Sequence, residues 1–374
     1  MCKIAFVCQD LIGQGVQFAT ATMVRAFFDH GFEVELLLSR VHQDLINAGQ
    51  NPFSIPNGVK CLLMPSRRSS RNGGFLRDYL QNGKADIVVA ETRHYAWALS
   101  YASTGLSTIP RLYQVEHINV PQTPKCFLQR LKLKTVRYFC YRRFSGVMTV
   151  NEESARRLKE QTSLLAKRLK IETVYNAVVD RDFETKRSCE TRHPWLRVKE
   201  CPTFVAAGAL HEGKCFSMLL NAVRLVSRKS HVRLVVFGRG ALEGEFRDFV
   251  VKFHLEDVIS IAGYTDNLPA ELKSADGFIS SSRAESFSIV LAQALALGVP
   301  CISTDAPLGP REVLANGKYG KLVAVDDVNA MAEAILDFVE NPPEKPKAES
   351  WRRFTIEAVY NRYLNAMEFP STRS

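Results

Sequence analysis

The sequence predicts an α/β protein made of two doubly wound domains. Short apolar runs rich in β-branched residues alternate with longer stretches of helical spacing along the 374 residues. The apolar runs are nearly continuous, as expected of strands buried on both faces of a parallel sheet. A polar stretch without clear periodicity, between about residues 178 and 200, separates the two halves. A chain of this length divides into two domains by default, because single hydrophobic cores stop growing before it is reached.

Five strands are predicted in each half. Those of the first half are Lys3–Cys8, Glu33–Leu38, Asp86–Ala90, Arg111–Val115 and Gly146–Val150. Those of the second half are Thr203–Ala207, Val232–Phe237, Val258–Ala262, Gly277–Ser280 and Cys301–Ser303. Amphipathic stretches such as Phe18–His30 and Phe216–Arg228 are the predicted helices between them. Open α/β sheets bind ligands at the carboxyl ends of their strands, so we expect two such domains to face each other across a binding cleft.

The cysteine pattern and the hydropathy indicate a cytoplasmic protein, either soluble or peripheral. The nine cysteines are scattered and include no C-x-x-C pair, which is typical of reduced thiols and not of a zinc site or redox dithiol. The first residues, Met1 to Cys8, run directly into a strand-like segment. No apolar run approaches the ~18 residues that a membrane-spanning helix needs.

The positive charge belongs to the first half of the chain. Residues 1–200 contain 30 Lys+Arg and 18 Asp+Glu, a balance of +12, whereas residues 201–374 contain 19 and 21, a balance of −2; together they give the net charge of +10. The basic clusters are Arg67, Arg68, Arg71 and Arg77, then Lys125 to Arg143, then Arg156, Arg157, Lys159, Lys167, Arg168 and Lys170. Such a face attracts nucleic acid, anionic lipid or an acidic substrate, and a solvated helix surface is the alternative.

Two glycine motifs follow predicted strands. Gly13 and Gly15 lie between the first strand and the first helix, where a bare backbone can approach a ligand closely, although helix capping is an equally simple explanation. Gly238-Arg239-Gly240 follows a strand of the second half. Neither motif has the complete G-x-G-x-x-G spacing, which weakens a dehydrogenase interpretation.

The stretch from Ser280 to Pro300 combines an apolar helix with two isolated polar side chains. Ser286 or Ser288 can cap a helix that runs to about Leu297, and the only polar side chain inside it is that of Gln293. A buried amide needs a hydrogen-bond partner, from the protein or from a ligand. Glu285 lies just before the helix, beside the free N–H groups of residues 286–288, and these amides suit an anion such as a diphosphate.

This stretch resembles the E-G-F-x-x-x-x-x-E signature of retaining glycosyltransferases of family four, which have two Rossmann-like domains in the GT-B arrangement. The resemblance extends along essentially the whole chain. The other matching segments are Ile4–Val7 with Gly13 and Gly15 (first strand and glycine loop), Val115-Glu116-His117 (E-H element), Val174–Val178 (N-G-V before the linker), Gly208–Lys214 (G-R-L-x-x-x-K), Gly238-Arg239-Gly240 (G-x-G), and Gly309–Leu314 with Tyr319-Gly320 (closing sugar-site segment).

Three residues depart from the family pattern. Gln293 replaces the second glutamate, Ser286 replaces the glycine after the first, and Ala209 replaces the arginine of G-R-L. The resemblance implies that the second glutamate holds the ribose hydroxyls, which an amide can still do through weaker neutral bonds. It also implies that the arginine and Lys214 together neutralise the diphosphate. This chain would therefore use Lys214 alone or borrow Arg239 or Arg283.

The resemblance implies transfer of a sugar from a nucleotide-sugar to an acceptor hydroxyl with retention of configuration, without a metal and without a cofactor. It places Lys214 and the amides of Ser286, Phe287 and Ser288 on the diphosphate, Glu285 on the donor sugar, and His117 beside the sugar. Tyr264 is implied to meet the base through its backbone. A strand-end structural histidine and a core tyrosine are the respective alternatives. Uridine is favoured on family frequency.

The resemblance also implies a division of labour between the domains. Residues 1–180 are expected to form an acceptor-binding domain, 181–200 a linker, 201–345 a nucleotide-sugar domain, and 346–374 a helix that packs back on the first domain. The expected acceptor is a glycan or a lipid-linked molecule of polysaccharide or lipopolysaccharide synthesis. A cationic face would hold the enzyme to the inner face of an anionic membrane. The apolar residues interspersed in that face are Phe127, Leu128, Leu131, Leu133, Phe139 and Tyr141.

Other functions are also compatible with parts of the sequence. Ala209 and Gln293 are compatible with a catalytically impaired protein retained for binding a partner or a nucleotide. The basic run from Lys125 to Arg143 is compatible with nucleic-acid binding, but no nucleic-acid motif accompanies it, and no nucleic-acid partner is expected. Asp180-Arg181-Asp182 has the D-x-D spacing of metal-dependent transferases of another fold, but paired acids in a linker are more often solvated.

Overall fold

The chain forms two compact units in a computed structural model. The structure describes residues 2–9, 11, 15–39, 55–118, 120–122, 124, 126–165 and 168–369, so Gly13, Lys125 and Lys167 lie outside the described residues. The first unit comprises Met1–Ala177 and Ile356–Ser374, and the second comprises Val178–Thr355.

The first unit contains a seven-stranded parallel sheet. Its strands are β1 Lys3–Val7, β2 Glu33–Ser39, β3 Lys60–Met64, β4 Ile87–Ala90, β5 Arg111–Glu116, β6 Phe144–Thr149 and β7 Lys170–Thr173, in the spatial order β3-β2-β1-β4-β5-β6-β7. Ile4 of the interior strand β1 pairs with Val34 on one side and with Ile87 on the other. All three side chains are buried, which explains why these strands are apolar throughout.

The second unit contains a six-stranded parallel sheet. Its strands are β8 Thr203–Ala207, β9 Arg233–Phe237, β10 Ile259–Gly263, β11 Gly277–Ser280, β12 Cys301–Thr304 and β13 Lys321–Val323, in the spatial order β10-β9-β8-β11-β12-β13. The order changes direction at β8, whose neighbours are β9 and β11. In sheets of this kind the point of reversal opens a crevice at the carboxyl ends of the strands.

Helices connect the strands of both sheets. They are α1 Val16–Asp29, α2 Gly73–Asn82, α3 Arg93–Ala102, α4 Phe127–Tyr141, α5 Glu152–Gln161, α6 Arg181–Arg187, α7 Pro194–Arg197, α8 Phe216–Val226, α9 Glu243–Lys252, α10 Leu268–Lys273, α11 Ile289–Ala296, α12 Gly309–Val313, α13 Val328–Glu340 and α14 Ile356–Ala366. Among the described residues, no helix combines the length and apolar character needed to cross a bilayer.

The last helix, α14, returns to the first unit and packs against α1. The ring of Phe27 contacts those of Tyr360 and Tyr363 at centroid distances of 5.1 and 6.1 Å, both in edge-on geometry. Arg111 of β5 donates to the carbonyl of Met367 at 2.8 Å. This aromatic packing and the cap on the end of the helix attach the C-terminal segment to the first unit.

The segment 181–200, expected to be a linker, contains helices α6 and α7 and belongs to the second unit. The Asp180 carboxylate caps α6 by accepting the backbone N–H of Phe183 at 2.8 Å. Phe183 is buried, so the helix is anchored despite its polar sequence. The first acid of the D-x-D motif thus serves as a helix cap.

Candidate functional site

The loops at the carboxyl ends of the second sheet carry most of the predicted site residues. Three loops matter most, and they follow β8, β9 and β11: residues 208–214, 238–240 and 281–288. Because carboxyl ends of parallel strands lie at one edge of a sheet, these loops lie next to one another. The loop after β11 contacts the loop after β8 directly, since the N–H of Arg283 donates to the carbonyl of Gly213 at 2.9 Å.

Lys214 and Glu285 come together although 71 residues separate them. The Lys214 ammonium donates to Oε1 of Glu285, and the hydroxyl of Ser282 donates to the same oxygen at 2.9 Å. The Glu285 side chain is 8 % exposed and that of Lys214 is 28 % exposed. A polar group this enclosed needs hydrogen-bond partners, and the Glu285 carboxyl has two. The Ser281 hydroxyl supports the lysine by bonding its carbonyl at 2.8 Å.

The backbone of the Glu285 loop is held by the segment that follows β12. Glu285 forms an isolated parallel bridge with Leu308, and its carbonyl accepts the N–H of Gly309 at 3.0 Å. A Cβ at Gly309 would lie 2.9 Å from the Cα of Phe287, so only glycine fits this approach. Phe287 packs edge-on against Phe354 at 5.3 Å. The predicted anion-binding loop is therefore positioned by a rigid support.

The loop after β8 and the loop after β9 are in close backbone contact. Gly238 has φ 150°, and a Cβ there would lie 1.9 Å from the carbonyl oxygen of Gly208. The N–H of Leu210 donates to the carbonyl of Arg239 at 2.9 Å. Arg239 is therefore adjacent to the segment in which Ala209 replaces the arginine of the family pattern.

Arg239 and Arg283 differ in whether the guanidinium is paired with a carboxylate of the protein. The Arg283 guanidinium binds both carboxylate oxygens of Asp326, at 2.7 and 3.0 Å, and hydrogen bonds from Cys215 and Arg283 lower the pKa of Asp326. Arg239 is exposed and forms no ion pair with any described residue; its guanidinium lies 5.9 Å from the centre of the Tyr264 ring. Of the two arginines, Arg239 has the charge available for a ligand. Tyr264 is 55 % exposed, which excludes the core alternative for its side chain.

Helix α11 begins directly after the Glu285 loop. Ser288 occupies its N-cap position, but the serine side chain makes no capping hydrogen bond, and Gly298 follows the helix with φ 72°. Ser286 is half-buried and Phe287 is buried. Gln293 is 9 % exposed, and its amide forms no hydrogen bond within the described part of the chain. Neither of its amide atoms is among the fully buried side-chain atoms that lack a partner, so the amide can be reached by water or by a ligand.

In the first unit, His117 lies immediately after β5 and is 9 % exposed. Its Nε2 is hydrogen-bonded to Oε2 of Glu91 at 2.8 Å, and the hydroxyl of Thr20 donates to the same oxygen at 3.0 Å. Gly15, with φ 79°, occupies the N-cap of α1, the helix that carries Thr20. Sequence analysis missed Glu91. Its one signal was its position directly after β4, at the same sheet edge as His117.

Comparison with known proteins extends these observations. Residues 201–341 match the family model of glycosyl transferases group 1. The chain is 28% identical over 172 residues to N-acetylgalactosamine-N,N'-diacetylbacillosaminyl-diphospho-undecaprenol 4-alpha-N-acetylgalactosaminyltransferase of Campylobacter jejuni, covering 46% of this chain and 45% of the relative. It is 24% identical over 225 residues to N-acetyl-alpha-D-glucosaminyl L-malate synthase of Bacillus anthracis, covering 59% and 58%. The chain thus spans about half the length of these relatives.

The fold is similar to that of a solved structure over nearly the whole chain. The crystal structure of Anabaena HepE in complex with UDP and glucose superposes with a TM-score of 0.73, at 16% identity, over 98% of this chain and 100% of the other. At this identity the likeness establishes the fold, and with the two parallel sheets it confirms the predicted α/β architecture of GT-B type. Residues 201–341 therefore match the glycosyl transferases group 1 family, within a chain that has the GT-B fold.

Proposed function

We propose that this protein is a retaining glycosyltransferase that moves a sugar, most simply from a UDP-linked donor, to a glycan or lipid-linked acceptor in cell-surface polysaccharide or lipopolysaccharide synthesis. The observation that carries the proposal is the pairing of Lys214 with Glu285 at the carboxyl edge of a group 1 domain. A cation and a partly enclosed carboxylate at this edge can bind two adjacent parts of a nucleotide-sugar, namely its diphosphate and its hydroxyl-rich sugar ring.

The reaction requires stabilisation of the negative charge that develops on the departing diphosphate and of an oxocarbenium-like sugar centre. Lys214 and Arg239 supply cations for the diphosphate, and the N–H groups of residues 286–288 supply preorganised donors at the start of α11. Glu285 accepts hydrogen bonds from the sugar hydroxyls. Because these groups stabilise the charge of the departing diphosphate, the proposed reaction needs neither a metal ion nor a cofactor. Activity is accordingly expected to persist in excess EDTA.

The proposed substrates agree with those named for similar proteins. The Campylobacter relative acts, by its name, on a diphospho-undecaprenol-linked sugar, and HepE was crystallised with UDP and glucose. These names support a lipid-linked acceptor and a uridine nucleotide for this chain. They leave the identity of the donor sugar to experiment.

A melting experiment tests the nucleotide part of the proposal. UDP at a hundredfold excess over its Kd is expected to raise the melting temperature by roughly 5 °C, because a ligand that binds only the folded state stabilises it. GDP and ADP are measured in parallel. Lys214→Ala is expected to remove most of the UDP shift, whereas Lys199→Ala is the control, since Lys199 pairs with Asp276 ahead of β11. The absence of a shift with all three nucleotides would favour the catalytically impaired alternative.

We further propose that helix α4 attaches the protein to an anionic membrane surface. The helix buries only Arg137, Cys140 and Tyr141. Its exposed apolar side chains are Phe127 (73 %), Leu128 (72 %), Leu131 (50 %) and Phe139 (50 %). Arg130 and Lys132 are exposed on the same helix. Apolar and basic groups together on one surface helix favour the boundary between lipid headgroups and acyl chains.

Two residues of the predicted membrane surface are not exposed, which corrects the prediction. In addition, part of the positive charge of one basic cluster is neutralised. Tyr141 is buried and Leu133 is half-buried, because the end of α4 packs into the first unit. On α5, Arg156 and Arg157 both bind Glu153, and these hydrogen bonds, that of Arg156 foremost, lower the pKa of the Glu153 carboxyl to about 2. Part of the positive charge of α5 is thus neutralised within the helix, and α4 remains the better-supported contact.

Co-sedimentation with vesicles tests this surface. The protein is expected to bind phosphatidylglycerol vesicles at low salt and to bind phosphatidylcholine vesicles much less. Replacing both Phe127 and Leu128 with serine should reduce binding about tenfold or more, because two apolar anchors are lost. Val251→Ser, which alters an apolar residue that is 60 % exposed in the second unit, should leave binding unchanged. Equal binding by the double variant and the wild type would contradict the assignment.

A further inference from the structure

Gln293 is positioned to meet a ligand at the carboxyl edge of the second sheet. It is the fifth residue of α11, so its Cα lies about 6 Å along the helix from the first residue. The Cα–Cβ bonds of a helix point toward its N-terminus, which directs the long Gln293 side chain back toward the turn that contains Ile289 and Val290. Those two residues are half-buried, whereas all residues from Leu291 to Ala296 are buried. The open part of α11 is thus the part toward which the Gln293 amide extends.

The amide of Gln293 is a different hydrogen-bonding group from the carboxylate that the resembled family has at this position. A carboxylate only accepts hydrogen bonds, and it suits two neighbouring hydroxyl groups that both donate. If one hydroxyl is missing, a charged oxygen is left partly buried without a donor, which is costly. An amide has one accepting oxygen and one donating nitrogen. It can accept from a single hydroxyl while its N–H groups donate to that hydroxyl, to water or to the diphosphate.

No contact between Gln293 and its surroundings requires the ligand to have a second hydroxyl group. The Gln293 amide has no hydrogen bond to another described residue, so its orientation can follow the ligand. It carries no charge, so losing one partner costs less than at a carboxylate. Discrimination by a polar site depends on how costly the unpaired group is when the matching substrate group is absent. At Gln293 the free-energy cost of the unpaired group is lower than it would be at a glutamate.

We propose that the donor site of this protein tolerates a nucleoside diphosphate that lacks the ribose 2′-hydroxyl, so that sugars linked to deoxyribonucleoside diphosphates belong to its donor class. The inference rests on the proposed function, together with the family resemblance, which implies that the residue at position 293 holds the ribose hydroxyls. It goes beyond that function by stating what the replacement of glutamate by glutamine changes. The protein still binds the nucleotide, but it discriminates less between ribose and deoxyribose.

Isothermal titration of the unaltered protein with UDP and dUDP gives the first test. GDP with dGDP and ADP with dADP are titrated in parallel, so that a different base preference does not obscure the result. For the preferred base, the ribose and deoxyribose forms are expected to bind within about threefold of each other. A preference of tenfold or more for the ribose form overturns the inference while leaving the proposed function intact. Failure of every nucleotide to bind overturns the proposed function itself.

Variants at position 293 give the second test. Gln293→Glu is expected to tighten binding of the ribose form and to prefer it over the deoxyribose form by about tenfold or more, since a charged acceptor now requires both hydroxyls. Gln293→Met keeps the length of the side chain without its polar atoms and should bind both forms equally and more weakly. Melting temperatures without ligand show that each variant is folded. If Gln293→Glu binds both forms with the wild-type ratio, the ribose does not lie at this residue and the inference fails.

Discussion

Replacement of Glu285 by alanine is expected to lower the rate of sugar transfer about 100-fold or more while the protein remains folded. The carboxylate is held in one orientation by Lys214 and Ser282, so its oxygens are preorganised to accept from a bound sugar. Removing it loses these interactions and releases the lysine from its partner. The lysine side chain is 28 % exposed and can be solvated, so a large loss of stability is not expected. The measurement is the turnover of nucleotide-sugar, together with the melting temperature of each protein.

Glu200→Ala is the matched control for this experiment. Glu200 also forms an ion pair, with Arg233 at 2.7 Å, but it lies ahead of β8, away from the carboxyl edge. Its removal should change neither turnover nor UDP binding. Glu285→Gln separates charge from shape: it should retain part of the sugar binding and lose most of the turnover. Wild-type turnover in Glu285→Ala would refute the assignment of this loop as the donor site.

Replacement of Arg239 by alanine is expected to reduce kcat/KM for the donor by about tenfold to a hundredfold, which corresponds to one charge-assisted hydrogen bond to a phosphate. The reason lies in the contact between two loops. Ala209 lacks the arginine that the resembled family uses, and the adjacent loop presents Arg239, whose charge is not paired with any described acid. We therefore propose that Arg239 neutralises the diphosphate alongside Lys214.

The substitution Ala209→Arg provides a rescue experiment. Ala209 is exposed, so an arginine can be placed there without disturbing the core. In the Arg239→Ala background it should restore most of the donor kcat/KM, and in the wild-type background it should add little. Arg283→Ala is the control, because its guanidinium already serves Asp326. A loss with Arg283→Ala larger than that with Arg239→Ala would assign the second cation to Arg283.

The strands show which parts of the fold can be predicted from a sequence. The ten predicted strands are all present, and their ends differ from the predicted ones by at most two residues. Three strands were missed: β3, β7 and β13. Each is at the edge of its sheet, and each is partly exposed, so its sequence lacks the continuous apolar run that marks a central strand. Pairing with a neighbour, and not the side-chain pattern of the segment itself, makes these residues strands.

The two helices of residues 181–200 were missed for a similar reason. Their charged sequence has no helical period of its own, and the residues on either side of α7 bond to the rest of the second unit. Glu271 of α10 accepts the backbone N–H of Arg192 at 2.9 Å, and Lys199 pairs with Asp276 at 2.7 Å. Interactions between residues about 80 positions apart cannot be read from local composition.

For the candidate site, local sequence was sufficient to identify chemical groups and insufficient to pair them. Glu285, Gln293 and the start of α11 follow from one stretch of the chain, because helix caps and isolated polar residues are local signals. Segments that are distant in sequence are joined by the contact of Lys214 with Glu285, the pairing of Arg283 with Asp326 and the bond from His117 to Glu91. Those pairings follow from strand order, since only the folded sheet brings the ends of separate strands to one edge.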